Sequence, residues 1–220
     1  MKRVVLILTI LALMLSFSNV SIAQITEKGI KVGLNLANAS GDDVEDTKNK
    51  MGFAVGGYIL YPLNETITMR VEAMYSQKGA KMEGEMPVVE TLPYFPYYTY
   101  EMKDYTATMS VDYIEIPVLF LYEIQSSGTM KPFVFAGPYL ALKMSAKTKV
   151  EVEGEDSETE DMKDVKGMDY GIILGAGAKV TDKISVDVRY SMGLTSVDDS
   201  DADADIKNKV IAVTAGYALN

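Results

Sequence analysis

The sequence predicts an all-β fold: an eight-stranded antiparallel up-and-down transmembrane β-barrel. Three observations predict it. Apolar and polar residues alternate with period two in eight segments of at least nine residues. The connections between these segments are alternately short and long. One face of each segment is apolar, with Tyr near its ends, whereas the other is rich in Gly, Ala and Ser.

In 29–37, Ile30, Val32, Leu34 and Leu36 oppose Lys31, Gly33, Asn35 and Ala37. In 51–61, Met51, Phe53, Val55, Ile59 and Tyr61 oppose Gly52, Ala54, Gly56 and Tyr58. In 67–78, Ile67, Met69, Val71, Ala73 and Tyr75 oppose Thr68, Arg70, Glu72, Met74 and Ser76. In 111–122, Ile114, Ile116, Val118, Phe120 and Tyr122 oppose Tyr113, Glu115, Pro117 and Leu119. Segment 132–145 sets Val134, Ala136, Leu140, Leu142 and Met144 against Gly137, Tyr139, Ala141, Lys143 and Ser145. Segment 168–180 sets Tyr170, Ile172, Leu174, Ala176, Ala178 and Val180 against Asp169, Gly171, Gly175, Gly177 and Lys179. Ile184, Val186, Val188, Tyr190, Met192 and Leu194 alternate with Ser185, Asp187, Arg189, Ser191 and Gly193 in 184–194. Ile211, Val213, Ala215, Tyr217 and Leu219 alternate with Asn208, Ala212, Thr214 and Gly216 in 208–219. Pro117 and Pro138 fall inside strands and nearly face each other, where a missing ladder donor calls for a bulge or local break.

The connections 62–66, 123–130 and 181–183 are short; 40–50, 79–110, 147–167 and 195–207 are long and mostly acidic. Short turns at one end, with both termini, and long polar loops at the other match the outer-membrane pattern. The long loops are expected outside the cell and the short turns in the periplasm. A soluble lipocalin-like barrel alternates in the same way with its faces reversed. Small residues on the polar face suit the narrow lumen of eight strands, whereas a soluble exterior would carry many more Lys and Glu. Tyr61, Tyr122 and Tyr217 toward the short turns, and Tyr75, Tyr170 and Tyr190 toward the long loops, form two expected interfacial girdles.

Export is encoded at the N-terminus. Lys2 and Arg3 precede the apolar run Val4 to Leu15, and Ser21-Ile22-Ala23 offers small residues where a signal peptidase reads. Residues 1–23 are therefore expected to be a signal peptide, leaving 24–220 as the outer-membrane β-barrel domain. The apolar run is too short for a spanning helix, which needs about 20 residues.

Composition narrows the chemistry. The chain has no Cys, so disulfides, iron–sulfur clusters and thiol catalysis are excluded. It has no His, which removes His-based triads and nearly all catalytic zinc sites. A formal net charge of −10 argues against nucleic acid as a partner. No cofactor is implied.

Four segments carry a family resemblance: Asp112-Tyr-Ile-Glu-Ile-Pro-Val-Leu-Phe-Leu-Tyr122, Lys131-Pro-Phe-Val-Phe-Ala-Gly-Pro-Tyr-Leu140, Asp169-Tyr-Gly-Ile-Ile-Leu-Gly-Ala-Gly-Ala178 and Ser185-Val-Asp-Val-Arg-Tyr-Ser-Met-Gly-Leu194. Together, in this order, they resemble the PorT-like outer-membrane β-barrel family over roughly residues 28–220. The resemblance implies the fold and the outer membrane of a Gram-negative bacterium. Its name-giving member serves a protein-secretion apparatus.

Eight inward charges form a candidate lumen polar network: Arg70, Glu72, Glu115, Lys143, Asp169, Lys179, Asp187 and Arg189. Four bases against four acids favour a paired plug over a translocation or catalytic pocket, because charges in a low-dielectric lumen must be paired. Strands three and seven stand opposite each other in a ring of eight. Arg70 is thus expected to meet Asp187, and Glu72 to meet Arg189, with Glu115 able to join them. Tyr94, Phe95, Tyr97, Tyr98 and Tyr100 make the longest loop a candidate partner-binding surface, the alternatives being packing on the rim or a hairpin above the membrane. Asp199, Asp201, Asp203 and Asp205 are weak metal candidates, since the sixth-position Gly and closing Glu of a calcium loop are missing. A solvated surface loop is the favoured expectation for them and for the acids of 151–164.

The expected protein is therefore a non-enzymatic outer-membrane barrel with a plugged lumen, acting through surface loops in binding or envelope assembly. Its expected surroundings are outer-membrane lipid and lipopolysaccharide, with a protein partner at the loops. An accessory barrel of a secretion apparatus is the first alternative. An outer-membrane enzyme is the second, disfavoured by the absence of His.

Overall fold

The computed structural model describes residues 26–41, 44, 47–91, 98–200 and 204–219. The N-terminal segment read as a signal peptide lies outside them. Nine strands follow in order: β1 (Glu27–Ser40), β2 (Thr47–Pro62), β3 (Ile67–Thr91), β4 (Tyr98–Glu123), β5 (Lys131–Val152), β6 (Glu158–Asp161), β7 (Met168–Lys179), β8 (Ile184–Gly193) and β9 (Lys207–Ala218). Every pairing is antiparallel. Eight strands close a ring, β1-β2-β3-β4-β5-β7-β8-β9 and back to β1, and β6 adds only to the outer part of β5. This is the up-and-down barrel that the alternation predicts.

The alternation also sets the faces. On β1, Ile30 (51% exposed) and Leu34 (60%) point outward, while Lys31 (1%) and Asn35 (2%) are buried within the ring. Val186, Val188, Ile211 and Val213 likewise stand exposed on β8 and β9, with Asp187, Arg189, Ala212 and Thr214 enclosed. An apolar exterior around a charged interior is unfavourable in water and favourable in lipid. Tyr122 pairs with Ile67, and Tyr217 with Ile184, so both exposed rings sit level with the first residues of β3 and β8. They belong to the girdle expected on the short-turn side.

The short turns are tied locally. Asn64 Oδ1 accepts from the amides of Thr66 (2.9 Å) and Ile67 (2.8 Å), and Thr181 Oγ1 accepts from the amide of Ile184 (2.9 Å). Both arrangements are Asx- or Ser/Thr-type turns that replace backbone partners at a reversal. The two strand prolines each interrupt a ladder. Glu72 and Ala73 are unpaired with Ile116 and Pro117 in β3–β4, and Val118 and Leu119 with Gly137 and Pro138 in β4–β5. Strand β4 passes so close at the second break that a Cβ on Gly137 would lie 2.0 Å from the Val118 carbonyl oxygen. Only glycine fits that approach.

The connection expected as a loop over 79–110 is largely strand. β3 and β4 stay in register from Ile67↔Tyr122 to Thr91↔Tyr98, so a hairpin rises above the barrel. Its 79–91 arm spans roughly 40 Å at about 3.4 Å per residue. The tip, with Tyr94, Phe95 and Tyr97, lies outside the described residues. β5 follows the hairpin as far as Val152, opposite Tyr105, and the 147–167 connection contains β6.

Candidate functional site

Two charge clusters occupy the lumen. The lower, nearer the short turns, is built from β1, β3, β8 and β9. Glu72 is its hub: Lys31 Nζ lies 2.8 Å away, Arg70 Nε 2.9 Å and Arg189 Nη1 2.7 Å. Asp187 takes Lys31 (2.8 Å), Arg189 Nε (3.1 Å) and the Thr214 hydroxyl (2.8 Å). Lys31 faces Gly56 on β2 and Gly216 on β9, so no neighbouring side chain competes for its space. Arg70 is within ion-pair distance of Glu72 and of Asp187 (3.4 Å), yet its Nε and Nη2 are not aligned as hydrogen-bond donors. Its guanidinium instead lies over the rings of Phe135 (4.7 Å) and Phe133 (5.8 Å). The Phe135 face also supports Arg189 at 5.6 Å.

The upper cluster joins β3, β4, β5, β7 and β9. Lys78 Nζ lies 2.6 Å from Glu115 and 3.4 Å from Asp169, and 4.2 Å from the centre of the Tyr139 ring. Asp169 also accepts from Tyr139 Oη (3.1 Å), Thr195 Oγ1 (3.1 Å) and Asn208 Nδ2 (2.9 Å). A void of about 20 Å³ separates the clusters, bordered by Asn35, Ser76, Glu115, Arg189 and Thr214. That is room for about one water.

The arrangement corrects the membership of the expected network. Arg70 meets Asp187 and Arg189 meets Glu72 across the ring, but Glu115 turns to Lys78 and takes no part in the lower cluster. Lys143 sits at the outer mouth and donates to the Val165 carbonyl. Lys179 sits at the opposite mouth, 2.6 Å from Glu27, which also accepts from Tyr58 Oη (2.8 Å). Both are inward, but near the limits of the ring, Lys143 just beyond the last β5–β7 pair and Lys179 at the end of β7, where water competes. Lys31 and Lys78, each 1% exposed, take the central positions instead. The clusters thus hold four bases and four acids, with two members exchanged. Lys31 could have been found from its place on the polar face of β1. Lys78 could have been found in the same way, since it follows Ser76 on the polar face of the 67–78 segment.

Above the upper cluster, two loops close the mouth. Lys166 N donates to Val197 O (2.8 Å), and Asp199 N to Asp164 O (3.1 Å). Met109, Val111, Met162, Val165, Val197 and Ile206 line an apolar space of about 80 Å³ beneath them. Outside it, Glu160, Asp161, Asp164 and Asp198 border an open cleft of about 450 Å³. The Ser200 hydroxyl donates to Asp198 (2.7 Å) and holds its carboxyl below the usual range. Asp199 and Asp205 are the described members of the weak metal set, and Asp205 lies 2.5 Å from Lys207. Asp201 and Asp203 lie outside the described residues. Among the described residues, no group of three acids is placed to hold a metal ion. Tyr100 projects from the hairpin at 70% exposure.

The family model for the outer membrane protein beta-barrel domain matches residues 22–199. The chain belongs to this family. It resides in the Gram-negative outer membrane, with the apolar outer face of its barrel against lipid. Solved structures with similarity include Ail, the attachment invasion locus protein of Yersinia pestis, at 16% identity. That match covers 88% of this chain and 98% of Ail, with a TM-score of 0.43. Ail also appears in complex with the heparin analogue sucrose octasulfate. Neisserial surface protein A is 14% identical over 86% of this chain and 96% of its own, with a TM-score of 0.45. The N-terminal barrel domain of Pseudomonas aeruginosa OprF is 11% identical over 87% and 97%, with a TM-score of 0.31. No curated protein matches the chain.

Proposed function

We propose that this family member is a non-enzymatic barrel with a closed lumen, acting through its outer segments in binding or envelope assembly. The observation that carries this reading is the division of charge. Lys31, Arg70, Lys78, Arg189, Glu72, Asp187, Glu115 and Asp169 are consumed by one another inside. The outer segments 41–50, 79–110, 147–167 and 195–207 hold 22 of the 31 acids against 9 bases. An anionic ligand such as a heparin analogue does not suit so acidic a surface; a cationic one does. Residues 1–23 supply the export signal in this reading. The four motif segments resemble the PorT-like family, and that resemblance supports an accessory role in secretion as the second reading.

The closed lumen has a direct test. The refolded barrel in planar bilayers should give no steady conductance, because two clusters and voids of about 20 Å³ leave no ion path. Stable ohmic steps comparable to a general porin would sink the closed-lumen reading. The outer segments are tested separately. A photo-crosslinking residue at Tyr100, 70% exposed, should give a discrete adduct on intact cells. The adduct should disappear when Glu158, Glu160 and Asp161 are neutralised together. Labelling confined to lipid, or unaffected by that change, would count against a loop partner.

A further inference from the structure

Above the barrel, the polarity of the two sheet faces inverts. Within the ring, the inward face of β3 carries Arg70, Glu72, Ser76 and Lys78. The same face continues upward as Met82, Gly84, Met86 and Val88, since the β3–β4 register does not shift. Across β4, Met82 and Gly84 meet Ala107 and Tyr105, beyond which lie Val150 and Val152 of β5, whereas Met86 and Val88 meet Lys103, paired with Glu155, and Glu101. The Tyr105 ring lies over Gly84, where an added Cβ would come within 2.9 Å of it. The opposite face, apolar against lipid below, here carries Lys81, Glu83 and Glu85 beside Asp104, Thr106 and Thr108. Met82 and Met86 remain 37% and 38% exposed.

Among the described residues, this stretch also ends in an open edge. β2 accompanies β3 only as far as Thr47↔Met82; among the described residues no strand flanks Glu83–Thr91 on that side. An open edge offers unpaired amides and carbonyls to an added strand. The residues of such a strand alternate in face. One set would lie on Met82 and Met86, the other beside Glu83 and Glu85. The first residues of β2 already show the chemistry on the outer face, where Lys48 pairs with Glu83. One position further out, Glu85 stands directly opposite Asp104, and among the described residues no base pairs with either. Like charges directly opposite are destabilising, and a cation on the neighbouring strand would relieve them.

We infer that the open edge of β3 over Glu83–Met86, short of Pro87 with its missing amide donor, takes an extended polypeptide segment in which apolar and basic residues alternate. This deepens the loop-binding reading and rests on it. The apolar residues would cover Met82 and Met86, whose unbranched side chains adapt to varied partners. The basic residues would lie between Glu83 and Glu85, and the backbone would extend the sheet. A second copy of this chain does not fit, because edge-to-edge pairing would set Glu83 and Glu85 against their own kind. Anionic lipid headgroups are repelled by the same acids.

The test uses the full barrel in phosphatidylcholine nanodiscs and a fluorescein-labelled nine-residue peptide of alternating Leu and Lys. Comparators are a block peptide of the same composition, an alternating Leu–Glu peptide, and barrel-free discs. The alternating Leu–Lys peptide should bind the barrel at least about tenfold more tightly than either comparator peptide, a difference of about 1.4 kcal/mol. Its binding should weaken from 0.1 to 1 M salt as the screening length falls from about 10 to about 3 Å. Glu85→Lys, at an exposed site, should weaken it about tenfold while leaving the folded gel mobility unchanged. Met86→Asp should do the same through the other face. Equal binding of the block peptide, signal explained by barrel-free discs, or indifference to Glu85→Lys would overturn the inference. If the peptide fails while the Tyr100 adduct persists, the loop reading stands and this edge is not its site; loss of both removes the reading itself.

Discussion

Glu72→Gln is expected to be among the most destabilising isosteric changes in the barrel, costing roughly 3–5 kcal/mol, as breaking a buried ion pair does. The reason lies in the charge count of the lower cluster. Lys31, Arg70 and Arg189 face only Glu72 and Asp187, a surplus of one positive charge in the native protein. Removing the Glu72 carboxylate leaves three cations to one anion, all at least 95% buried. Adding Arg189→Met returns the surplus to one and replaces a guanidinium over Phe135 with an unbranched apolar chain. The double variant should therefore lie closer to wild type than Glu72→Gln alone, against additivity. Arg189→Met by itself leaves the cluster neutral and should cost less than Glu72→Gln. Urea midpoints of the barrel refolded in vesicles measure all three. Single changes each costing under about 1 kcal/mol, as exposed pairs do, would mean that the lumen is wet and its charges are free for transport or binding.

Much of this fold is legible in the sequence because one physical rule covers it. A strand between lipid and a narrow lumen must alternate, and eight segments do so. Cross-lumen partners are legible too: Arg70 and Asp187, like Glu72 and Arg189, stand at matching heights on facing strands. The misassigned members share a different cause. Lys143 and Lys179 alternate inward like the rest, but they stand at the mouths, where Val165 and Glu27 are their partners. Face alone does not report depth. Lys31 and Lys78 are deep, and only the ring closure brings Lys31 of β1 to Asp187 of β8. The hairpin was obscured by a change of surroundings. From Lys81 to Met86 β3 keeps its period but exchanges the polarity of its own faces, as expected where water replaces lipid outside. A reading that fixes polar as inward ends the strand at that point. The joining of two loops over the mouth, through Lys166 and Val197, depends on backbone bonds and has no side-chain signature at all.

Lys78→Met should be comparably severe in the upper cluster, also roughly 3–5 kcal/mol. Lys78 is the sole base among Lys78, Glu115 and Asp169, so its loss leaves two buried acids facing each other. The two acids differ in what remains. Asp169 keeps three neutral donors, Tyr139 Oη, Thr195 Oγ1 and Asn208 Nδ2. Glu115 Oε2, by contrast, has no aligned donor, its near contact being Lys78 at 2.6 Å. Adding Glu115→Gln to Lys78→Met should therefore recover a larger share of the stability than adding Asp169→Asn. Asp169→Asn would also disturb the acceptor that ties β5, β7 and β9 together. Urea titrations of the three variants rank them. Equal recovery by the two second-site changes would show that bare charge governs the cluster; greater recovery by Glu115→Gln assigns the cost to the acid left without donors.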